Sequence, residues 1–349
     1  MQTIDINSVA KGEFDIVKRT VIFILLLIFG LSIDPEVSNA NIQKNTENIY
    51  IERLALYKKV EAITQIPWHY LGAIDQYERS ARRARKDIPK EQGLIGIYFS
   101  PRQWAGPLNP EVNDMNAKTI QFFGGVGLDG NDDGLADRNN DEDILFTFAN
   151  YISNYGFDKR NIKIALWEYY KRDKAVGIIM NYARIFEKHG LEIVDKRAFP
   201  VPLRWNYSYR STWGDRRGWG GLRIHEGTDI FAGYGTPVRS TTYGVIELKG
   251  WNKYGGWRVG IRDLNNNYHY YAHLSGFEGK LKAGQLVEAG QVIGYVGSSG
   301  YGPPGTSGKF PPHLHYGIYK DNGITEWSFD PYPSLRNWER QERQKRKKK

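Results

Sequence analysis

Two short segments in the last third of the chain carry residue types that can hold a metal. His225-Glu226-Gly227-Thr228-Asp229 separates an imidazole from a carboxylate by four positions, and His313-Leu314-His315 separates two imidazoles by two. Even spacings place both side chains of each pair on one face of a strand. Three protein ligands of nitrogen and oxygen type with an open fourth position make a catalytic zinc site, and two histidines with one carboxylate are an established version. Histidines left beside such a metal can take the proton from an attacking water and stabilise charge building on a carbonyl oxygen. The chain has no cysteine, which removes thiolate catalysis, disulfides and Cys-type zinc sites together and leaves any metal to histidine and carboxylate.

The elements that must position these groups fall into two textures. The length of 349 residues suffices for two domains, since single cores stop growing beyond roughly 250 residues. From 41 to 190 the apolar periodicity predicts helices, over Glu47 to Thr64, a run opening at Pro67, Asp141 to Tyr155, Ile162 to Tyr170 and Ala175 to Lys188. After a linker at 191–198, glycine, tyrosine and tryptophan rise, and Gly244 to Leu248, Arg258 to Ile261 and Gln291 to Val296 read as strands. The fold class expected is therefore a mostly helical N-terminal domain, 41–190, followed by an all-β domain, 199–332, and a tail, 333–349.

Charge is concentrated at the end. The net charge is +9, yet from Arg336 to Lys349 eight Lys/Arg face only Glu339 and Glu342, a local +6 that leaves about +3 for the rest. That distribution is no basic groove, so no nucleic-acid partner is expected. The tail has almost no apolar residue after Trp338, and is expected to stay mobile and to contact anionic wall polymers or membrane. At the other end, Thr20 to Ile33 carries no charge, with Lys18-Arg19 before it and Ser38-Asn39-Ala40 after it. Residues 1–40 thus read as a signal peptide or a membrane anchor, and either places the remaining chain outside the cytoplasm, secreted, wall-associated or anchored facing outward.

Residues 199 to 332 resemble the lysostaphin/LytM-type zinc endopeptidases of bacterial cell walls. His225, Gly227 and Asp229 form His-x-Gly-x-Asp, Tyr271-Ala272-His273-Leu274-Ser275 matches the second motif, and Gly290-Gln291-Val292-Ile293-Gly294 leads into Pro312-His313-Leu314-His315-Tyr316. The resemblance implies that His225, Asp229 and His315 bind one zinc ion while His273 and His313 flank the bound water as catalytic residues. The segment Tyr301 to Pro311 is longer and richer in proline than the family's usual turn. His269, four residues before His273, is read as an ordinary hydrogen-bonded histidine. Tyr268, Tyr270, Tyr271 and Tyr316 suggest an aromatic surround.

The helical part carries a second resemblance, to lytic transglycosylases. Pro67 to Ser80 is similar to their catalytic helix, with Glu78 at the position of the glutamate. Arg79 stands where a serine follows in that family, and Tyr170 where an asparagine completes a Tyr-Asn pair. Arg82, four residues on, is expected to pair with Glu78 and lower its pKa, the wrong direction for a general acid. Between the helices, Asp129, Asn131, Asp133, the Leu135 carbonyl and Asp137 occupy positions of an EF-hand-like calcium loop, although the twelfth position is Asn140 and not glutamate. The plainer reading is a turn-rich loop ending in a helix cap at Asp141.

A transglycosylase-like helical part followed by a LytM-type part resembles the sporulation L-alanyl-D-glutamate endopeptidases of Bacillus-type bacteria. That implies hydrolysis of peptidoglycan stem peptides during wall or spore-cortex remodelling. The rival readings are glycan cleavage through Glu78 and a catalytically silent wall-binding scaffold.

Overall fold

In the computed structural model the described residues are 35–191, 196–218 and 222–347, so the signal or anchor segment lies outside them up to residue 34. Among the described residues no helix is long and apolar enough to cross a membrane. Residues 52–349 form one compact unit, distinct from the segment before it.

The helices before residue 190 are α1 (Pro35–Thr64), of which the part from Glu52 belongs to this unit, α2 (Trp68–Ala84), α3 (Pro101–Ala105), α4 (Ala117–Phe122), α5 (Asp141–Ser153), α6 (Lys159–Tyr170) and α7 (Asp173–His189). The short α3 and α4 had no periodic signal in the sequence, because a helix of five or six residues cannot display one. Helix α2 buries Leu71, Ile74, Tyr77 and Ala81, a spacing of three and four that makes one apolar stripe. Helix α7 buries Val176, Ile179, Tyr182 and Phe186 in the same way, and the two pack together.

The second region is built from β1 (Tyr207–Tyr209), β2 (Arg216–Arg217), β3 (Arg223–Ile224), β4 (Thr228–Ala232), β5 (Pro237–Arg239), β6 (Gly244–Asn252), β7 (Gly256–Arg262), β8 (Asn267–Phe277), β9 (Leu286–Val287), β10 (Val292–Val296), β11 (His313–Asp321) and β12 (Glu326–Phe329). The main antiparallel sheet runs β1-β4-β11-β8-β7-β6-β9, with β12 on β11 and β10 bridging β8 and β5. Alternation decides its faces. Ile230, Tyr271, Leu314, Tyr316 and Ile318 point into an apolar core with Val259, Ile261 and Val296, which leaves Asp229, His313 and His315 on the opposite face. The two regions are tied directly: Gln76 Nε2 donates to the Leu264 carbonyl (2.6 Å), Tyr182 Oη to the Asp263 carbonyl (3.0 Å), and Arg172 pairs with the buried Asp321 (3.0 Å).

The basic end of the chain is not a free tail. Tyr332–Lys347 is a helix, α8, with Leu335, Trp338 and Glu339 buried. Leu335 and Trp338 enter the sheet's core. Glu339 accepts hydrogen bonds from the hydroxyls of Tyr207 and Tyr209 (2.6 Å each), and Glu342 pairs with Arg239 (2.9 Å). The expectation of a mobile segment fails because two apolar residues three apart, with two glutamates whose partners lie over a hundred residues upstream, suffice to dock one face of the helix.

Candidate metal centre and active-site groove

Strand β11 pairs with β4 so that His315 stands opposite Asp229, and His225 enters from the turn before β4. His225 Nε2 lies 2.8 Å from His315 Nδ1 and 3.1 Å from Asp229 Oδ1. His315 Nδ1 is 3.1 Å from the same oxygen. A tetrahedral zinc with bonds of roughly 2.0–2.1 Å holds its ligand atoms about 3.3 Å apart, so this triangle needs only slight expansion to take the ion. Among the described residues it is the one group of three His, Asp or Glu side chains with mutually close ligand atoms.

The supporting contacts fit the same ion. His225 Nδ1 donates to the Thr212 carbonyl (2.7 Å); a carbonyl only accepts, so the proton is on Nδ1 and the Nε2 lone pair faces the triangle. The Arg217 guanidinium bonds both His225 Nε2 (2.8 Å) and the Asp229 carboxylate, so a cationic group stands where a metal's charge would be. Burial would raise the Asp229 carboxyl, but its close contacts with His225 and His315 outweigh it and hold the group well below its ordinary value. Gly227 is required sterically: a Cβ there would come within 2.6 Å of both the His315 ring and the Tyr316 carbonyl oxygen.

His273 and His313 sit beside the triangle, 5% exposed each, with ring centres 4.8 Å apart. Their Nδ1 atoms donate to the carbonyls of Ser299 and Pro311, 2.8 Å in both cases, so both Nε2 atoms are bare. His313 Nε2 is buried with no hydrogen-bond partner and lies 3.7 Å from Asp229 Oδ1. Burial, with His313 and His315 adding to it, pushes His273 well below the usual imidazole value. Burial lowers His313 as well.

His273 reaches this face through a bulge. Across β7 and β8, Trp257 pairs with Leu274 and Val259 with Tyr271, so two steps on one strand meet three on the other. His273 holds the extra position, at φ 61°, a strained backbone for a residue with a side chain. The bulge separates two histidines that even spacing would put on one face. His269 lies instead among core groups, between Asp263 (3.1 Å) and the Tyr316 hydroxyl (2.7 Å).

A groove opens over the triangle, lined by Arg217, Arg223, Tyr254, Arg258, Tyr270 and Tyr301 among others, with a volume of about 370 Å³. Of the four tyrosines expected around the site, Tyr268 and Tyr270 line it; Tyr271 and Tyr316 face the core. The proline-rich segment builds one wall. Tyr301 stacks on His273 with ring centres 6.2 Å apart, and Phe310 packs against His273 and His313 at 4.7 and 5.1 Å. Sequence reasoning missed Arg217, Arg258 and Thr212, which have no motif spacing. The aromatics inside the departing segment were a usable signal for Tyr301 and Phe310.

The helical candidates stand apart from this centre. Glu78 does not pair with Arg82, whose guanidinium donates to the carbonyls of Pro89, Lys90 and Gly96. Glu78 accepts from the Tyr170 hydroxyl at 2.7 Å. Burial pushes its carboxyl up to about 7, against the lowering by that hydrogen bond and by Arg82, which reverses the expected direction. In the candidate calcium loop, Asp129 accepts from the N–H groups of Asp133 and Gly134, Asp133 from Leu135 and Asp137 from Asn139. Asn131 donates to Asp133 (2.9 Å). These side chains are spent on turns and are not gathered as a ligand set. The cap of α5 is Asn140, not Asp141; Asp141 accepts from Leu94 and Ile95.

The model of peptidase family M23 matches residues 223–331. An L-Ala--D-Glu endopeptidase of Bacillus subtilis is 58% identical over 324 residues, 93% of this chain and 98% of that protein. Lysostaphin of Staphylococcus staphylolyticus is 37% identical over 117 residues, 33% of this chain and 22% of its own length. A solved catalytic domain of lysostaphin from Staphylococcus simulans has a TM-score of 0.30 and 31% identity, over 38% of this chain and 93% of that one. The matched segment runs from β3 through β4, β8 and β11 to the end of β12, and with the full-length similarity to the Bacillus protein it follows that the chain belongs to peptidase family M23.

Proposed function

We propose that this peptidase is an exported, zinc-dependent endopeptidase that hydrolyses the bond between L-alanine and D-glutamate in peptidoglycan stem peptides, in wall or spore-cortex remodelling. The observation that carries the zinc assignment is the 2.8–3.1 Å triangle of His225, Asp229 and His315. The bond is supported by the full-length relative, which is named for it. Export rests on the uncharged run Thr20 to Ile33 behind Lys18-Arg19.

His225 Nε2, Asp229 and His315 Nδ1 would hold the zinc, which when bound polarises a carbonyl and makes water acidic near neutral pH. The chain's own part is proton transfer and orientation. The bare Nε2 of His273 or His313 accepts the proton released as water attacks the alanine carbonyl carbon, and returns it to the departing glutamate nitrogen as the C–N bond breaks. While protonated, the same Nε2–H donates to the oxygen on which charge collects. The Ser299 and Pro311 carbonyls hold the two rings in the tautomer this requires.

The test is metal content together with activity. Purified protein should carry one zinc, and Asp229→Ala should lose both the zinc and hydrolysis of a soluble stem peptide; full zinc occupancy in that variant would refute the ligand set. The exposed arginines on α8 support a second contact, with anionic wall polymers. A second reading, glycan cleavage in the helical region, is favoured by one observation: the Glu78 carboxyl, raised to about 7, stays protonated where a general acid must.

A further inference from the structure

Among the basic groups lining the groove, Arg258 differs from its neighbours. Arg217 bonds the Asp229 carboxylate, and Arg223 lies over the rings of Tyr254 and Tyr301 at 5.3 and 5.5 Å. Arg258, on β7, has no ion pair with any Asp or Glu among the described residues, and its Nε–H is buried without an acceptor. Its guanidinium sits beside Tyr270, 5.9 Å from the ring centre, and Tyr270 in turn is 5.9 Å from the His315 ring. The two glutamates lining the groove are engaged: Glu326 with Arg262 and Lys174, Glu226 with the Tyr319 hydroxyl. A half-buried guanidinium with no counter-ion and an unmet donor is costly in a folded protein unless something supplies the acceptor.

The reading of the bond given above supplies one. When D-glutamate is joined onward through its γ-carboxyl, its α-carboxylate stays free on the carbon bonded to the scissile nitrogen. That carboxylate travels with the scissile bond into the groove, three bonds from the carbonyl carbon under attack. A guanidinium is suited to it, because its planar fork matches a carboxylate in a bidentate pair. We infer that Arg258 is the specificity-determining residue that binds the free α-carboxylate of the residue on the amine side of the scissile bond, so that the groove selects a residue there whose α-carboxylate is free. This rests on the Ala–Glu reading. Arg258 acts on substrate binding and not on proton transfer, and the zinc ligands do not depend on it.

The test uses zinc-loaded full-length protein and two soluble stem peptides, one with D-glutamate joined through its γ-carboxyl and the α-carboxylate free, the other with that carboxylate amidated. The wild type should favour the free acid by about 10-fold or more in kcat/KM, as for loss of a charge-assisted pair. Arg258→Gln should remove that preference, mainly by raising KM for the acid, with the amide cleaved at close to the wild-type rate. Arg258→Lys should restore part of the preference. Equal cleavage of the two peptides by the wild type would overturn the role of Arg258 and leave the Ala–Glu reading standing. So would an equal loss on both peptides in the Gln and Lys variants. No cleavage of either peptide at the Ala–Glu bond, with cutting elsewhere in peptidoglycan, would overturn both.

Discussion

His225, Asp229, His313 and His315 were legible because parity along a strand is a strong rule and their residue types admit few chemistries. What parity could not show is which nitrogen of His225, His273 and His313 faces the centre. That is decided by the carbonyls of Thr212, Ser299 and Pro311, groups every residue has and no motif marks. The same tautomers yield an expectation that separates ligand from catalyst. His273→Ala and His313→Ala should each lower turnover by about 100-fold or more, the effect of removing a positioned proton-transfer group, while zinc content stays at the wild-type value. Wild-type turnover in either variant would take that histidine out of the mechanism. Arg217 and Arg258 escaped sequence reasoning for a related reason: an arginine in a strand gives no indication of the groove it faces.

At the scale of elements, long periodic helices and the alternating strands were readable, and two devices were not. The bulge at His273 breaks the parity rule at a residue the proposed chemistry needs, with a left-handed φ that sequence does not announce in a histidine. Helix α8 was hidden by its composition. Its charges dominate the average, but stability depends on which face is buried, and Leu335 with Trp338 supplies that face. Trp338 packs against Tyr316 and His269, with ring centres 6.3 and 6.4 Å apart. Tyr316 adjoins His315, a proposed zinc ligand, in sequence. Trp338→Ala should therefore cost about 3–5 kcal/mol, as for other buried aromatics, and lower the denaturant midpoint. An unchanged midpoint would restore the view of this segment as a solvated appendage.

For the whole molecule, the sequence separated a helical region from a β region but not how firmly they are joined. The ties at Leu264, Asp263 and Asp321 involve single groups more than 80 residues away from their partners, and such pairings have no local signature. The helical region also holds the largest reversal of an expectation, at Glu78. Its folded value of about 7 lies above the ordinary 4.5, so the stability linked to this group is complete below pH 4.5 and is lost as pH rises through 7. Glutamine has no proton to lose. The unfolding midpoint of Glu78→Gln should gain on the wild type between about pH 5 and pH 7.5 and then keep a constant lead, whereas a difference independent of pH would show that the carboxyl is not shifted.

The most direct measurement of the central claim is digestion of purified peptidoglycan by the zinc-loaded protein, with every new terminus identified by mass spectrometry. The expected products are L-alanine left with a free carboxyl on the glycan and a stem peptide with a new amine on D-glutamate, both absent with Asp229→Ala. Anhydro-muramyl ends that vanish in Glu78→Gln but persist in Asp229→Ala, or no new termini at all, would contradict it.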